Sequence, residues 1–402
     1  MSGALDGIRV LDLSRVLAGP WAAQLLADFG AAVIKIENPV GGDETRHWGP
    51  PWATSEDGAA REAAYFLSAN RGKESVTVDM ARPEGQALIR ALAARCDVLV
   101  ENFKVGGLKK YGLDYDSLSA LNPGLVYCSI TGFGQTGPYA HRPGYDFVLQ
   151  GMGGLMSLTG EPDGEPMKVG VALTDILTGL YAANAIQAAL RHRDRTGQGQ
   201  HIDMALLDVQ VAVLANQALN YLVSGKNPVR RGNAHPNIVP YQAFATQDGY
   251  LTVAVGNAGQ WARLCKAIGR PELAEDPRFA TNQGRLEHRD VLVPLLAAAI
   301  AARPTADWIA AMDEAGVPAG PINTLEQVFE DPQIVHRGME LKLAHKALGT
   351  VPGVACPVRM SATPPDREHA PPMMGEHTRL VLRRDLGLSE EELDRLAGLG
   401  VL

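Results

Sequence analysis

The chain has 402 residues, 46% of them hydrophobic and 20% charged, with 43 glycines, which suits a soluble globular enzyme large enough for two or three domains and excludes a disordered or fibrous chain. Its net charge of -8 argues against a general nucleic-acid surface, which needs a basic stripe, and requires any anionic ligand to be held by local cations. Four scattered cysteines (Cys96, Cys128, Cys265, Cys356) form no CxxC pair, so neither a disulfide nor a zinc framework is expected, and a reducing, cytoplasmic compartment fits.

The first third alternates strand and helix. Ile8–Leu13 has the pattern of a short buried strand, Pro20–Phe29 of a helix and Ala32–Glu37 of the next strand. Ser75–Asp79, a helix over Pro83–Cys96, and strands at Asp97–Glu101 and Leu125–Ile130 continue the series. Apolar strands separated by amphipathic helices predict a parallel sheet covered on both faces, an α/β, Rossmann-like large domain. Gly132-Phe133-Gly134-Gln135-Thr136-Gly137 matches the dinucleotide fingerprint GxGxxG after a strand. Pro138 and Pro143 then break the segment where a helix should receive the pyrophosphate, and no helix is expected until past Asp146.

Helical spacing of Leu177, Leu180, Tyr181, Ile186 and Leu190 places Thr174-Asp175 at a helix start. A carboxylate there has two readings. Asp175 is an ordinary N-cap, or it is a nucleophile that the helix N–H groups and dipole keep ionised among apolar neighbours. The same stretch carries Asn184 and Gln187 as well as Asp175, which a membrane span would rarely tolerate, and the N-terminal residues lack the pattern of a secretory signal. Beyond about residue 220 the character changes. Ile238–Thr246 and Tyr250–Val255, joined through Asp248-Gly249, predict an antiparallel hairpin, and a more helical stretch follows. A large domain over 1–200 and 330–402, with a smaller α+β domain over 225–325, accounts for this order. Gly256-Asn257-Ala258-Gly259 makes a glycine loop between strand and helix. There is no Walker loop, HExxH or GxSxG, and the ten histidines show no paired ligand spacing, so no metal is expected. A solvated helix end explains Arg191–Arg195.

Taken in order, the segments Val10–Pro20, Ala32–Glu37, Gly42–Arg46, Asn70–Lys73, Glu101-Asn102-Phe103, Gly132–Gly137, Arg142–Asp146, Gly197–Asp203 and Gly375–Thr378 closely resemble the class III coenzyme A transferases, the CaiB–BaiF family, almost end to end. The resemblance implies an interlocked homodimer, acyl-CoA and small carboxylic acids as substrates, and Asp175 as a nucleophile that passes through an anhydride and a thioester. It gives Gly256, Asn257, Ala258 and Gly259 the role of a flap shielding the anhydride from water. For CoA it implies Val16, Leu17, Ala18, Asn102, Phe103 and Lys110, with Tyr145 and Asp146 in a further family segment. Asn38 stands where some members carry arginine, which leaves the diphosphate to Lys73, Arg71 or Arg46.

Leu17 replaces the glutamine of formyl-CoA transferases, so a close relation to those enzymes is not expected. The α-methylacyl-CoA racemase branch pairs its aspartate with a histidine. Here Tyr145 holds that position, and a phenol with an ordinary pKa near 10 suits proton exchange poorly, which favours transfer. A CoA-binding protein without turnover is the remaining alternative. Arg230–Tyr241 and Gly316–Asn323 look like the succinyl-CoA:dicarboxylate (glutarate-type) branch. A second carboxylate needs a cation, for which Arg46 and Arg142 are the candidates.

Overall fold

The computed structural model describes residues 3–402. Its centre is a six-stranded sheet. In chain order, β1 (Arg9–Asp12), α1 (Ala18–Asp28), β2 (Ala32–Glu37), β3 (Lys73–Thr77), α2 (Pro83–Ala93), β4 (Val98–Glu101) and β5 (Val126–Thr131) lead to α3 (Asp146–Met152). Then come α4 (Leu173–Thr196), β6 (Gln200–Ala205) and α5 (Leu206–Ala212). The strands lie in the order β3-β2-β1-β4-β5-β6, and every pairing is parallel.

The alternation of side chains along these strands divides the core into two. Leu11, Ile34, Leu99 and Tyr127 point to the face covered by Leu88, Ile89 and Leu92 of α2. Their neighbours Val10, Val33, Val98 and Cys128 point to the face covered by Leu26 of α1 and Ile186 of α4. Both faces are covered at the inner strands β4 and β5, which are largely apolar runs, whereas the edge strands β3 and β6 carry more polar residues.

The chain winds outward from β1 to β2 and β3, then returns to place β4 on the other side of β1. At that reversal the loops leaving β1 and β4 diverge, opening a crevice at the carboxyl ends of the strands.

Two compact units divide the chain: residues 3–155, 169–219 and 332–402 form the larger, and 156–168 with 220–331 the smaller. Inside the smaller unit β7 (Tyr241–Ala245) and β8 (Tyr250–Ala254) pair antiparallel across the Asp-Gly turn. Then α6 (Ala258–Ala267) begins at an Asn257 cap, and β9 (Ala319–Pro321) adds to β8. The larger unit ends in α7 (Thr378–Leu386) and α8 (Glu390–Gly398), whose Val381, Leu382, Leu393 and Leu396 complete the core on the α2 face. Among the described residues no single helix is long and apolar enough to cross a membrane.

The helix after the glycine-rich segment starts earlier than expected. It begins at Asp146 itself, with Tyr145 as its extended cap residue. Gly132 packs so closely that an added Cβ would lie 2.7 Å from the backbone of Gly144. The N–H of Gln135 is taken by the Asp203 carboxylate at 3.0 Å.

Candidate active site

A cleft at the β1–β4 crossover is bordered by Arg15–Ala18 after β1, Asn102–Val105 after β4, Ala140–Tyr145 before α3, and Asp175 in the first turn of α4. The two strand loops are stitched together. Asn102 Oδ1 accepts the Arg15 N–H at 2.9 Å, and Asn102 Nδ2 donates to the Arg15 carbonyl at 2.6 Å. Val16 holds a left-handed φ of 71°, unfavourable for a β-branched residue, and its N–H points to Asp43 Oδ1 at 3.3 Å. Asp43 is itself anchored by the fully buried Lys35 at 2.9 Å. Next, α1 starts at Leu17 with no side chain capping its N–H groups. Val16, Leu17 and Ala18, at this uncapped helix start, border the cleft.

Helix α4 is capped in an unexpected way. Its N-cap residue, Ala172, has no side chain to offer; Asp146 Oδ1 accepts the N–H groups of Thr174 at 2.8 Å and Asp175 at 3.3 Å. Gln150 donates to the other Asp146 oxygen at 2.7 Å. Asp146 therefore takes the helix N-terminus, and the reading in which those groups keep Asp175 ionised is corrected. Among the described residues no group donates a hydrogen bond to the Asp175 carboxylate. Burial, and secondly the charge of Asp146, push its pKa up to about 7.

A second crevice, also bordered by Arg15 and Phe103, carries Asn38, Lys104 and Lys110. The Arg15 guanidinium lies 4.9 Å from the centroid of the Phe103 ring and pairs with Glu44. Of the expected residues, Val16, Leu17, Ala18, Asn102, Phe103, Tyr145 and Arg142 thus share a cleft with Asp175, while Asn38 and Lys110 border the adjoining one. Asp146 borders neither.

Three cations expected at the diphosphate are held elsewhere. Lys73 is buried and spends its three protons on Asp12, Asn70 Oδ1 and the Pro20 carbonyl, each at 2.9 Å. Arg71 is forked onto Asp28 and donates to the Val354 carbonyl. Arg46 is clamped between Glu37 and Glu62 under the Pro372 carbonyl, which also removes it as a reader of the acceptor acid. Arg15 and Lys104 were given no role from sequence; their signal was adjacency to Val16 and Phe103. In the smaller unit, Asn257 caps α6 by accepting the Gln260 N–H at 2.9 Å, and Gly256 N–H donates to Gln260 Oε1 at 2.7 Å.

The sequence model of CoA-transferase family III matches residues 5–378. The chain belongs to CoA-transferase family III. The transferase is 56% identical to the succinate–glutarate CoA-transferase of Agrobacterium fabrum, over 94% of each chain. It is 44% identical to the human succinyl-CoA:glutarate CoA-transferase, over 99% of this chain and 90% of that one. Among solved structures, a CaiB/BaiF family protein from Brucella suis superposes with a TM-score of 0.85 at 53% identity, covering 96% of this chain and all of the other. The D175A mutant of Rv3272 from Mycobacterium tuberculosis gives 0.83 at 34% identity, covering 95% and 99%. Among the described residues no group of three or more His, Cys, Asp or Glu is arranged to hold a metal ion.

Proposed function

We propose that the transferase moves CoA from succinyl-CoA to glutarate through covalent intermediates on Asp175. The observation that carries this reading is a carboxylate in the cleft with no hydrogen-bond donor of its own. With a pKa near 7 it is more basic than an ordinary aspartate, hence a better nucleophile, and it is still substantially ionised at neutral pH. It attacks the succinyl carbonyl and expels the CoA thiolate, forming a mixed anhydride. The thiolate then attacks the aspartyl carbonyl, succinate leaves, and an aspartyl thioester remains. A glutarate carboxylate repeats the first step on this thioester, and the released thiolate takes the glutaryl group, restoring Asp175. No proton or electron is lost in the cycle.

Val16, Leu17 and Ala18 support the thioester end, where the uncapped start of α1 offers N–H groups to a developing oxyanion or to the thiolate. Asn38, Phe103, Lys104 and Lys110 receive the nucleotide end. Arg142 reads the second carboxylate of the acid. It is exposed in the cleft over the Tyr139 ring at 4.8 Å, and among the described residues it pairs with no carboxylate. For Gly256–Gly259 the flap role remains the one that the family resemblance implies. The substrate pair follows the names of the relatives at 56% and 44% identity. A homodimer in a reducing compartment, the cytoplasm, suits the exposed apolar helices and the four buried free thiols.

The test is an exchange assay with succinyl-CoA and a panel of carboxylic acids, thioesters being identified by mass spectrometry. Glutaryl-CoA is expected from the wild type, and none from Asp175→Asn, which retains CoA binding. Acceptance of monocarboxylates alone would overturn the acceptor. Exchange of an α-proton in a branched acyl-CoA, with no new thioester, would favour the racemase reaction.

A further inference from the structure

Behind the loop that carries Asn102 and Phe103 lies a chain of three side chains that the transfer steps leave unused. Glu101, the last residue of β4, is buried, and its Oε2 accepts the Phe103 N–H at 2.8 Å. Its register partner on β5 is Ser129, also buried, whose hydroxyl lies beside the same carboxyl and favours its ionised form. Ser129 Oγ in turn lies 2.9 Å from His201 Nε2 on β6. The His201 ring stacks on Tyr115 with centroids 5.0 Å apart, meets Tyr127 edge-on, and reaches solvent. These neighbouring side chains therefore line a path from the surface to the backbone of a cleft residue. It continues beyond, because Asn102 is bonded in both directions to Arg15, whose guanidinium covers Phe103. Fixing Phe103 fixes both walls of the crossover.

We propose that Glu101, which accepts the Phe103 N–H and is flanked by Ser129, is a positioning residue that sets the two loops between which acyl-CoA binds. This rests on the reading of the crevice as the CoA site.

An ionised carboxylate accepts an N–H more strongly than a neutral carboxyl. Burial, offset only by the Ser129 and Phe103 hydrogen bonds, lifts Glu101 to about 7. The groups that face it decide whether another charge governs it. Tyr127 and Cys128 are pushed up by burial and stay neutral. Asp114 faces the Tyr127 side, Asp116 and Asp203 act on His201, and Lys104 and Lys109 border the solvent opening. His201 itself is lowered by burial and is neutral at pH 7, so the Ser129 hydroxyl can donate to either neighbour. Glu101 therefore gains its charge near neutrality, and CoA binding tightens as pH rises through about 7.

The experiment is calorimetric titration of CoA at pH 6, 7 and 8 in the Asp175→Asn background, which removes the other carboxyl that titrates there. Glu101→Ala, Glu101→Gln and Ser129→Ala are compared, with circular dichroism to verify folding. Glu101→Ala is expected to weaken CoA about tenfold, the size of one lost hydrogen bond to a charged group, and Ser129→Ala about threefold. Glu101→Gln, whose amide oxygen still accepts the Phe103 N–H, keeps the affinity seen at pH 6 and loses the rise with pH. If Glu101→Ala does not fold, the other two variants decide. Affinities within about twofold of the parent at every pH, with the rise intact, would overturn the proposal. Failure of the parent to bind CoA would instead overturn the crevice reading, and this inference with it.

Discussion

Asp146 and Asp175 share one helix start and divide its hydrogen bonds unequally. Asp146 takes the N–H groups of α4; Asp175 keeps a bare carboxylate and is pushed up to about 7, by burial first and by Asp146 second. In the proposed mechanism the attacking species is the Asp175 anion, so kcat/KM should fall as pH drops through about 7. Asp146→Asn removes the like charge but not the burial. The acid limb should then move to lower pH, at a cost of about 1 kcal/mol in stability from the weakened cap. A pH–rate profile with a melting curve checks this, and an unmoved limb would remove Asp146 from the electrostatics. The sequence marked both aspartates, but hydrogen bonds between segments almost thirty positions apart, 28 for Thr174 with Asp146, do not show in local spacing. The same limit explains Lys73, Arg71 and Arg46. Lysine and arginine beside glycine suggest an anion site, and only the fold brings Asp12, Asp28 and Glu37 against them. Lys73→Met should cost about 3–5 kcal/mol by leaving Asp12 buried without its partner. Lys110→Ala should leave the melting temperature alone and raise KM for acyl-CoA several-fold. Denaturant titration and steady-state kinetics separate the two, and an unchanged KM in Lys110→Ala would move the nucleotide elsewhere.

Helices α1 and α4 both border the cleft, α1 at its uncapped start and α4 with the Asp175 carboxylate, and a glycine lies where the two pack together. A Cβ at Gly179 would lie 2.8 Å from the Ala18 carbonyl and 3.0 Å from Trp21. Gly179→Ala must therefore push the helices apart where Leu17–Ala18 and Asp175 border one cleft. A loss of about 1–3 kcal/mol in stability is expected, with kcat falling more than KM rises. Kinetics on the folded variant checks it; wild-type kcat would show that the cleft tolerates the shift. Elements with strong local signals were legible. Ala32–Glu37 is a strand at its expected bounds, and the hairpin turns at Asp248-Gly249. The glycine-rich segment was more deceptive, since Gly132 serves packing against Gly144. Helix α7 is not among the expected elements, although Arg383 and Arg384 in its last turn and a left-handed Gly387 mark its end, and it is held through contacts from far away, with Thr378 Oγ1 accepting the Thr77 N–H at 3.0 Å.

At the level of the molecule, the apolar surface of the larger unit is the unsolved part of its folding. Phe147, Val148 and Met152 on α3 and Leu180 and Tyr181 on α4 are exposed, with Phe147 at 59%. Scattered singly such residues need no explanation, but two neighbouring helices in mutual contact expose them together. The four thiols show the contrast, since each is buried. Covering this surface with a second copy would bury the kind of apolar area that obligate interfaces use, on the order of 2,000 Å² or more. The sequence carried this feature only through its resemblance to a family, because no periodicity distinguishes a helix face that meets its own core from one that meets a partner's. Light scattering coupled to size exclusion should therefore give twice the mass of one chain, independent of dilution into the micromolar range. The pair Phe147→Asp and Tyr181→Asp would place charges into that contact without touching the sheet. It should yield single chains or aggregate, and lose activity together with the dimer. A wild-type protein of single-chain mass with full activity would show that one chain suffices for the site, and that these faces have another use.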